Sequence, residues 1–234
     1  MAGRYHHKRR GAIISGDARS VNFREIHAGN IAPATLYRSS HPIQDGRQEP
    51  VIAALAAKYR IAAVINLTDT NSELQSKVFV APWYNRLFLD SKVIALGMDF
   101  SVTSDNFRQK LKKALQFIIE TESPYLIHCH AGVDRTGFVL IVLEALMGAA
   151  IKEIANDYLM SFNSIFESSI YSYENKTNSL VVMRLLSVLG GDLAITDLNL
   201  RATAEHYAKD TIGLSDKEID LLKMKLSGGK IHEN

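Results

Sequence analysis

The chain has 234 residues, 47% of them hydrophobic and 22% charged, with a formal net charge of +2. That is ordinary globular composition, enough for one generous core, and the near-neutral balance gives no reason to expect a nucleic-acid partner. The single cysteine excludes an intramolecular disulfide and any zinc site built on several cysteines, while no run of about 18 apolar residues offers a membrane span.

In chain order, residues 1–20 carry Lys8-Arg9-Arg10 and read as a basic, solvated N-terminal arm ahead of one domain over 21–234. The arm lacks the apolar centre of a signal peptide, so the cytoplasm is the expected location, with export by a signal-independent route left open. Val21 to Arg24 and Leu36 to Ser40 flank a turn-rich piece and suggest two short extended segments at the domain edge. Pro50 opens a helix over Val51 to Tyr59, and Ile61 to Leu67 is a compact apolar strand.

A short helix is predicted near Ser72 to Val80, then strands near Arg86 to Leu89 and Val93 to Met98. Phe107, Leu111, Ala114, Leu115 and Ile118 share one helical face, with Ser104 or Asp105 as the N-terminal cap and Ser123-Pro124 as the stop. Tyr125 to His128 forms a further strand, and Phe138 to Met147 an apolar helix that ends near Gly148.

Ile151, Ile154, Ala155, Tyr158 and Leu159 mark another amphipathic helix. Residues 161–179, rich in serine, asparagine and tyrosine, read as a loop or mobile flap. Leu180 to Leu189 and Thr196 to Lys209 resume as helices, and Ser215 with Glu218 forms a capping-box pattern for a last helix through Leu226. Strands alternating with helices, followed only by helices, predict an α/β fold: a small, mostly parallel central sheet flanked by helices, with a helical C-terminal portion.

The lone thiol lies in His128-Cys129-His130-Ala131-Gly132-Val133-Asp134-Arg135-Thr136-Gly137, between a strand and a helix. Core packing would explain Cys129 by itself, since a free cysteine is usually a small buried hydrophobe. It does not explain the bracketing glycines or Arg135. Loop N–H groups converging at a helix start suit an oxyanion and favour a thiolate, and Arg135 offers a planar fork for two phosphoryl oxygens. Thr136 is positioned in sequence to donate its hydroxyl to that thiolate.

Cys129, five intervening residues, Arg135 and Thr136-Gly137 resemble the signature loop of cysteine-dependent protein tyrosine and dual-specificity phosphatases. Asn22-Phe23-Arg24, Leu36-Tyr37-Arg38-Ser39, Ala63 to Leu67 with Glu73, and Gly213-Leu214-Ser215 with Glu218 are similar to landmarks of a bacterial branch that includes enzymes active on phosphoinositides. The resemblance implies phosphomonoester hydrolysis through a phosphocysteine on Cys129. His130, Ala131, Gly132, Val133, Asp134, Arg135 and Thr136 would hold the phosphate. No cofactor or metal is implied, because thiolate, arginine and one acid suffice. The substrate is expected to be a phosphorylated protein, or alternatively a phosphoinositide or inositol phosphate.

The reaction needs a proton for the leaving oxygen and a base for the attacking water. Asp99 is the first candidate, because it follows the strand Val93 to Met98 where the superfamily carries its acid loop. The stretch Leu96-Gly97-Met98-Asp99-Phe100 departs from that family's tryptophan-proline-aspartate pattern. Asp105 competes but also suits a helix cap. Asp134 is the third, as some bacterial relatives use an aspartate at that place.

Val133 stands where the branch often carries lysine, which weakens the case for highly charged inositol phosphates, although a protonated His130 would restore some positive charge. Arg38 and Ser39 could anchor the loop from beneath. His128 would either support the thiolate network or sit as a satisfied core residue. Two further readings are a phosphate-recognition module without catalysis, against which the retained thiol speaks, and a thiol-transfer protein, for which a second cysteine is missing.

Overall fold

The computed structural model describes residues 18–44, 46, 48–165 and 174–229. Most of the basic arm, and residues 166–173 of the expected flap, therefore lie outside the described residues.

Five short strands form one sheet: β1 (Arg24–Glu25), β2 (Leu36–Ser39), β3 (Ala63–Asn66), β4 (Val93–Ala95) and β5 (Tyr125–His128). Their order is β1-β2-β5-β3-β4. β1 runs antiparallel to β2, and every other pairing is parallel, with Ser39, His128 and Asn66 abreast at one end. The α/β expectation is met, and β5 occupies the centre, with its C-terminal end on the edge where such sheets bind ligands.

Alternation along the strands divides the core, because successive side chains point to opposite faces. Tyr37, Val64 and Leu126 pack on one face with the thin layer of α1 (Glu49–Lys58), α2 (Asn71–Lys77) and α3 (Pro82–Leu89). Leu36, Ile65, Tyr125 and Ile127 join the larger cluster on the other face. That thicker layer holds α4 (Asp105–Glu120), α5 (Asp134–Leu146), α6 (Ile151–Ile165), α7 (Glu174–Gly190), α8 (Leu200–His206) and α9 (Asp216–Leu226). α5 is buried on nearly all sides, from Thr136 to Leu146, which explains its unbroken apolar run.

Three expectations change. The segment Arg86 to Leu89 is the end of helix α3 rather than a strand: Pro82 stands at its first turn, where its fixed φ suits a helix and its missing N–H costs nothing. α5 begins at Asp134, four residues before the predicted start, so Arg135 and Thr136 stand on its first turn. Within the predicted flap, residues 161–165 continue α6 and 174–179 open α7. Where caps were predicted they hold. Ser104, not Asp105, accepts the Phe107 N–H at 3.1 Å, and Ser215 with Glu218 forms the reciprocal box that starts α9.

Candidate active site

Cys129 follows β5 directly and is 2% exposed, at the base of a turn that runs to the first residue of α5. The turn is shaped from outside. The His130 carbonyl accepts from the His41 N–H at 2.9 Å. Asn22 Nδ2 donates to the Ala131 carbonyl at 3.2 Å and to the Gly132 carbonyl at 3.0 Å. Arg38 Nη2 donates to the same Gly132 carbonyl at 2.6 Å.

In a trans, planar peptide the C=O and the following N–H point in opposite directions. Tying three consecutive carbonyls outward therefore turns the N–H groups of Ala131, Gly132 and Val133 to the inside of the loop. The first N–H groups of α5 add to them, since a helix start leaves its amides unpaired and carries partial positive charge. Together they make an anion cradle of backbone donors around Cys129.

Gly132 is required by two facts. Its φ is +71°, and a Cβ there would lie 2.2 Å from the Ser39 carbonyl oxygen, inside the backbone of β2. Gly137 has a different reason: a Cβ would sit 2.5 Å from the Tyr158 ring, so the bare backbone lets α6 approach the first turn of α5.

Beneath the loop lies a buried charged cluster. Arg38 is 0% exposed and pairs with Asp157 through Nη1, while Arg24 reaches Asp157 Oδ1 at 2.9 Å and Asn22 Oδ1 at 2.6 Å. Burial, with the neighbouring Arg38 charge, lowers the Arg24 guanidinium to about 10, still charged at neutral pH. Glu144, buried on α5, faces this cluster; burial and then the Asp157 charge push its carboxyl well above the usual range.

A second cluster backs Cys129 from the thin layer. His128 Nε2 bonds the Tyr84 hydroxyl at 2.8 Å, its ring stands edge-on to His41, and His41 Nε2 meets Asp69 Oδ2 at 2.8 Å. Burial, then the His41 ring, holds His128 well below its ordinary value, so it is neutral. The histidine before the cysteine is thus a satisfied network member, touching Cys129 through its backbone.

Around the mouth the predicted residues come together. Arg135 Nη1 donates to the Met98 carbonyl at 3.0 Å, which draws the segment of Asp99 to the loop. Asp99 is exposed, and its carboxylate accepts the Ser101 N–H at 3.0 Å within its own turn. Asp134 is exposed on the first turn of α5, with the Tyr158 phenol as its neighbour. His130 is exposed and Val133 is buried. Thr136 is buried, but its hydroxyl makes no hydrogen bond to any described residue, Cys129 included, so the expected bond to the thiol is not formed. Asp105 is exposed and pairs with Arg108 at 3.4 Å.

Sequence reasoning gave no site role to His41, Asp69 or Asp157, had Asn22 only among the landmarks, and kept Arg38 only as a possible anchor. The landmarks Asn22-Phe23-Arg24 and Leu36-Tyr37-Arg38-Ser39 carried the signal for Asn22 and Arg38, which turn out to be outer supports of the loop, whereas no local signal marked His41, Asp69 or Asp157. A separate cavity of about 570 Å³, lined in part by Leu146, Met147, Arg201, Leu221 and Met224, lies at the far end of α5 and includes none of the loop residues.

The tyrosine phosphatase family matches over residues 18–228. Among solved structures, the core catalytic domain of the PP-IP phosphatase SIW14 from S. cerevisiae, in complex with citrate, is 20% identical, with a TM-score of 0.42, covering 75% of this chain and 96% of that one. A second structure of the Siw14 catalytic core is 16% identical, with a TM-score of 0.38, covering 74% and 99%. No curated protein matches.

Proposed function

Because the chain belongs to the tyrosine phosphatase family, matched over residues 18–228, we propose that it hydrolyses phosphomonoesters through a phosphocysteine on Cys129, with phosphotyrosine and related singly phosphorylated esters as preferred substrates. The observation that carries this reading is the set of three loop carbonyls tied outward around a buried cysteine. A recognition module needs the amides and the arginine, but not a thiol at their focus.

In the proposed reaction the thiolate attacks phosphorus, the P–O ester bond breaks, and a carboxylic acid delivers its proton to the leaving oxygen. Arg135 and the loop amides hold the non-bridging oxygens as charge moves between them. The resulting carboxylate then takes a proton from water, which attacks phosphorus and releases phosphate and the thiolate. We assign the acid to Asp134, keeping Asp99 as its competitor. Asp134 shares a rigid helical turn with Arg135 and has the Tyr158 phenol beside it, whereas the Asp99 carboxylate is engaged by Ser101.

Charge at the mouth supports a singly phosphorylated substrate over an inositol polyphosphate. Two exposed aspartates flank Arg135, Val133 supplies no cation, Lys77 is paired with Asp69, and Lys110 is tied to the Gly97 carbonyl. Among the described residues, a polyanion would meet the Arg135 guanidinium with two acids beside it, while the Lys110 ammonium, still charged, is held at the Gly97 carbonyl.

The test is turnover of para-nitrophenyl phosphate, an alkyl phosphate, a phosphotyrosine peptide and an inositol phosphate, with and without EDTA. Turnover independent of EDTA, abolished in Cys129→Ser and highest on the peptide, is expected. Asp134→Asn is expected to lower alkyl-ester turnover by about 10²-fold or more while affecting the nitrophenyl ester much less. Preferential turnover of the inositol phosphate would overturn the substrate assignment, and a larger alkyl-ester loss in Asp99→Asn would move the acid there.

A further inference from the structure

We infer that Asp69 is a positioning residue for the cysteine loop, its carboxylate holding the His41 ring and, through His41, the first inward amide of the anion cradle. This rests on the reading of the loop as a phosphate cradle and adds a residue that lies far outside the loop motif.

Asp69 lies in the turn after β3 and is 4% exposed. Asn66 builds that turn, its side-chain carbonyl accepting the Thr68 N–H at 2.9 Å and the Asp69 N–H at 3.0 Å. Asn66 stands in register with His128, so the turn is keyed to the row from which Cys129 leaves β5. The two carboxylate oxygens have separate duties. Oδ2 faces inward, accepting from Asn66 Nδ2 at 2.9 Å and meeting His41 Nε2 at 2.8 Å. Oδ1 accepts from Lys77 Nζ at 2.7 Å, on the side open to solvent.

His41 is held at both ring nitrogens and at its main chain. Nδ1 accepts the Ile43 N–H at 3.2 Å, so the ring proton stands on Nε2 and is donated to Asp69. A carboxylate suits this place because all three of its side-chain partners are donors. Pro42 restricts the His41 backbone further. From that backbone the N–H donates to the His130 carbonyl at 2.9 Å. Among the described residues this is the one donor to that carbonyl, whereas the Gly132 carbonyl has two, Asn22 and Arg38. The peptide that aims the Ala131 N–H inward therefore depends on where His41 sits, and Asp69 fixes that place.

Three variants separate the contacts. Asp69→Asn keeps a carbonyl for His41 and Asn66 and deprives only Lys77 of its acceptor. Asp69→Ala removes the acceptor from all three, and His41→Ala removes the ring but keeps the main-chain N–H. These and the double alanine variant are compared with the wild type by calorimetric titration with inorganic phosphate. The same set is assayed for kcat and KM on para-nitrophenyl phosphate and on an alkyl phosphate, at a temperature where circular dichroism shows the protein folded.

Asp69→Ala is expected to weaken phosphate binding about tenfold and to lower kcat/KM on both esters by about the same factor. Asp69→Asn should stay within about threefold of the wild type on every readout, since it keeps the buried bonds. Adding Asp69→Ala to His41→Ala should cost nothing further, because both act through one chain of contacts.

Phosphate affinity in Asp69→Ala within about twofold of the wild type would overturn the inference, whatever the loss of thermal stability, and leave the phosphatase reading standing. Should Asp69→Ala fail to fold, unchanged phosphate affinity in His41→Ala overturns it equally. So does a loss confined to the alkyl ester: the Asp69 main-chain carbonyl accepts the Gly97 N–H at 2.7 Å, and such a loss would assign Asp69 to the segment of Asp99 instead. A wild type that binds phosphate but turns over neither ester would overturn the phosphatase reading, and phosphate affinity would still decide the role of Asp69. A wild type that binds no phosphate would overturn both.

Discussion

The floor of the cysteine loop and its mouth are built on opposite plans. Asn22, Arg38, His41 and Asp157 under the loop are all buried, and they reach it from β2, from α6 and from the stretches beside β1 and β2. Every outward carbonyl from His130 to Gly132 has a donor, one of them two. At the mouth, Asp99, Asp134 and His130 are exposed. On the proposed mechanism, the difference follows from what each part must do. Backbone amides stabilise a developing charge only if they are already aimed at it, and a protein interior fixes them without reorganisation during the reaction. A proton donor must admit substrate and then change its own charge, which demands access to water.

Breaking the floor should therefore cost stability as well as activity, whereas breaking the mouth should cost activity alone. Arg38→Met is the largest expected effect. It leaves Asp157 buried beside only Arg24 and takes one of two donors from the Gly132 carbonyl, and removing one partner of a buried pair costs about 3–5 kcal/mol. The retained Arg24 sets the expectation at the low end, about 3 kcal/mol in urea unfolding. Asp134→Asn, measured alongside, should change stability by less than about 0.5 kcal/mol. Equal losses from the two variants would erase the distinction between floor and mouth.

Gly132→Ala comes next. The φ of +71° alone costs an alanine about 1–3 kcal/mol, and the 2.2 Å approach to the Ser39 oxygen adds to it, because β2 is paired on both sides and cannot retreat. An unfolding free energy lower by at least about 2 kcal/mol, with weaker inhibition by phosphate, is expected. Unchanged phosphate inhibition would mean that the loop amides keep their aim without this turn.

Much of this was legible in the sequence because the signals were local. The face of α4, the capping box before α9 and the strand-loop-helix around Cys129 all lie within a few residues of their cause. Errors arose where local signals competed. Arg86 to Leu89 carries a short apolar run that fits strand and helix equally, and Pro82 was the deciding residue. Asp134 to Gly137 read as loop because its residues are polar or small, although an acid at a helix start is favoured by the dipole. The floor was the least legible part. Asp157 meets Arg24 and Arg38 across 133 and 119 residues, and His41 meets Asp69 across 28, so nothing nearby in the chain announces either pair.

The smallest predicted effect concerns that second pair and distinguishes it by pH. Burial by itself would raise the Asp69 carboxyl, but hydrogen bonds from His41, Lys77 and Asn66 outweigh burial and hold it well below the usual carboxylate range. A group depressed in the folded state contributes stability above its unfolded pKa, about 4, and loses that contribution as pH falls toward the folded value. Asp69→Asn keeps the shape and removes the charge. At pH 7 it should lower stability by only about 1 kcal/mol, because Lys77 is 37% exposed and its pairing is screened; for a chain of this size that is about 2–4 °C in Tm. The gap between wild type and variant should then begin to narrow near pH 4 and keep narrowing as pH falls toward the folded value, since protonation removes from the wild type what the substitution has already removed. A gap that stayed constant over that interval would mean that Asp69 supports His41 by its shape rather than its charge.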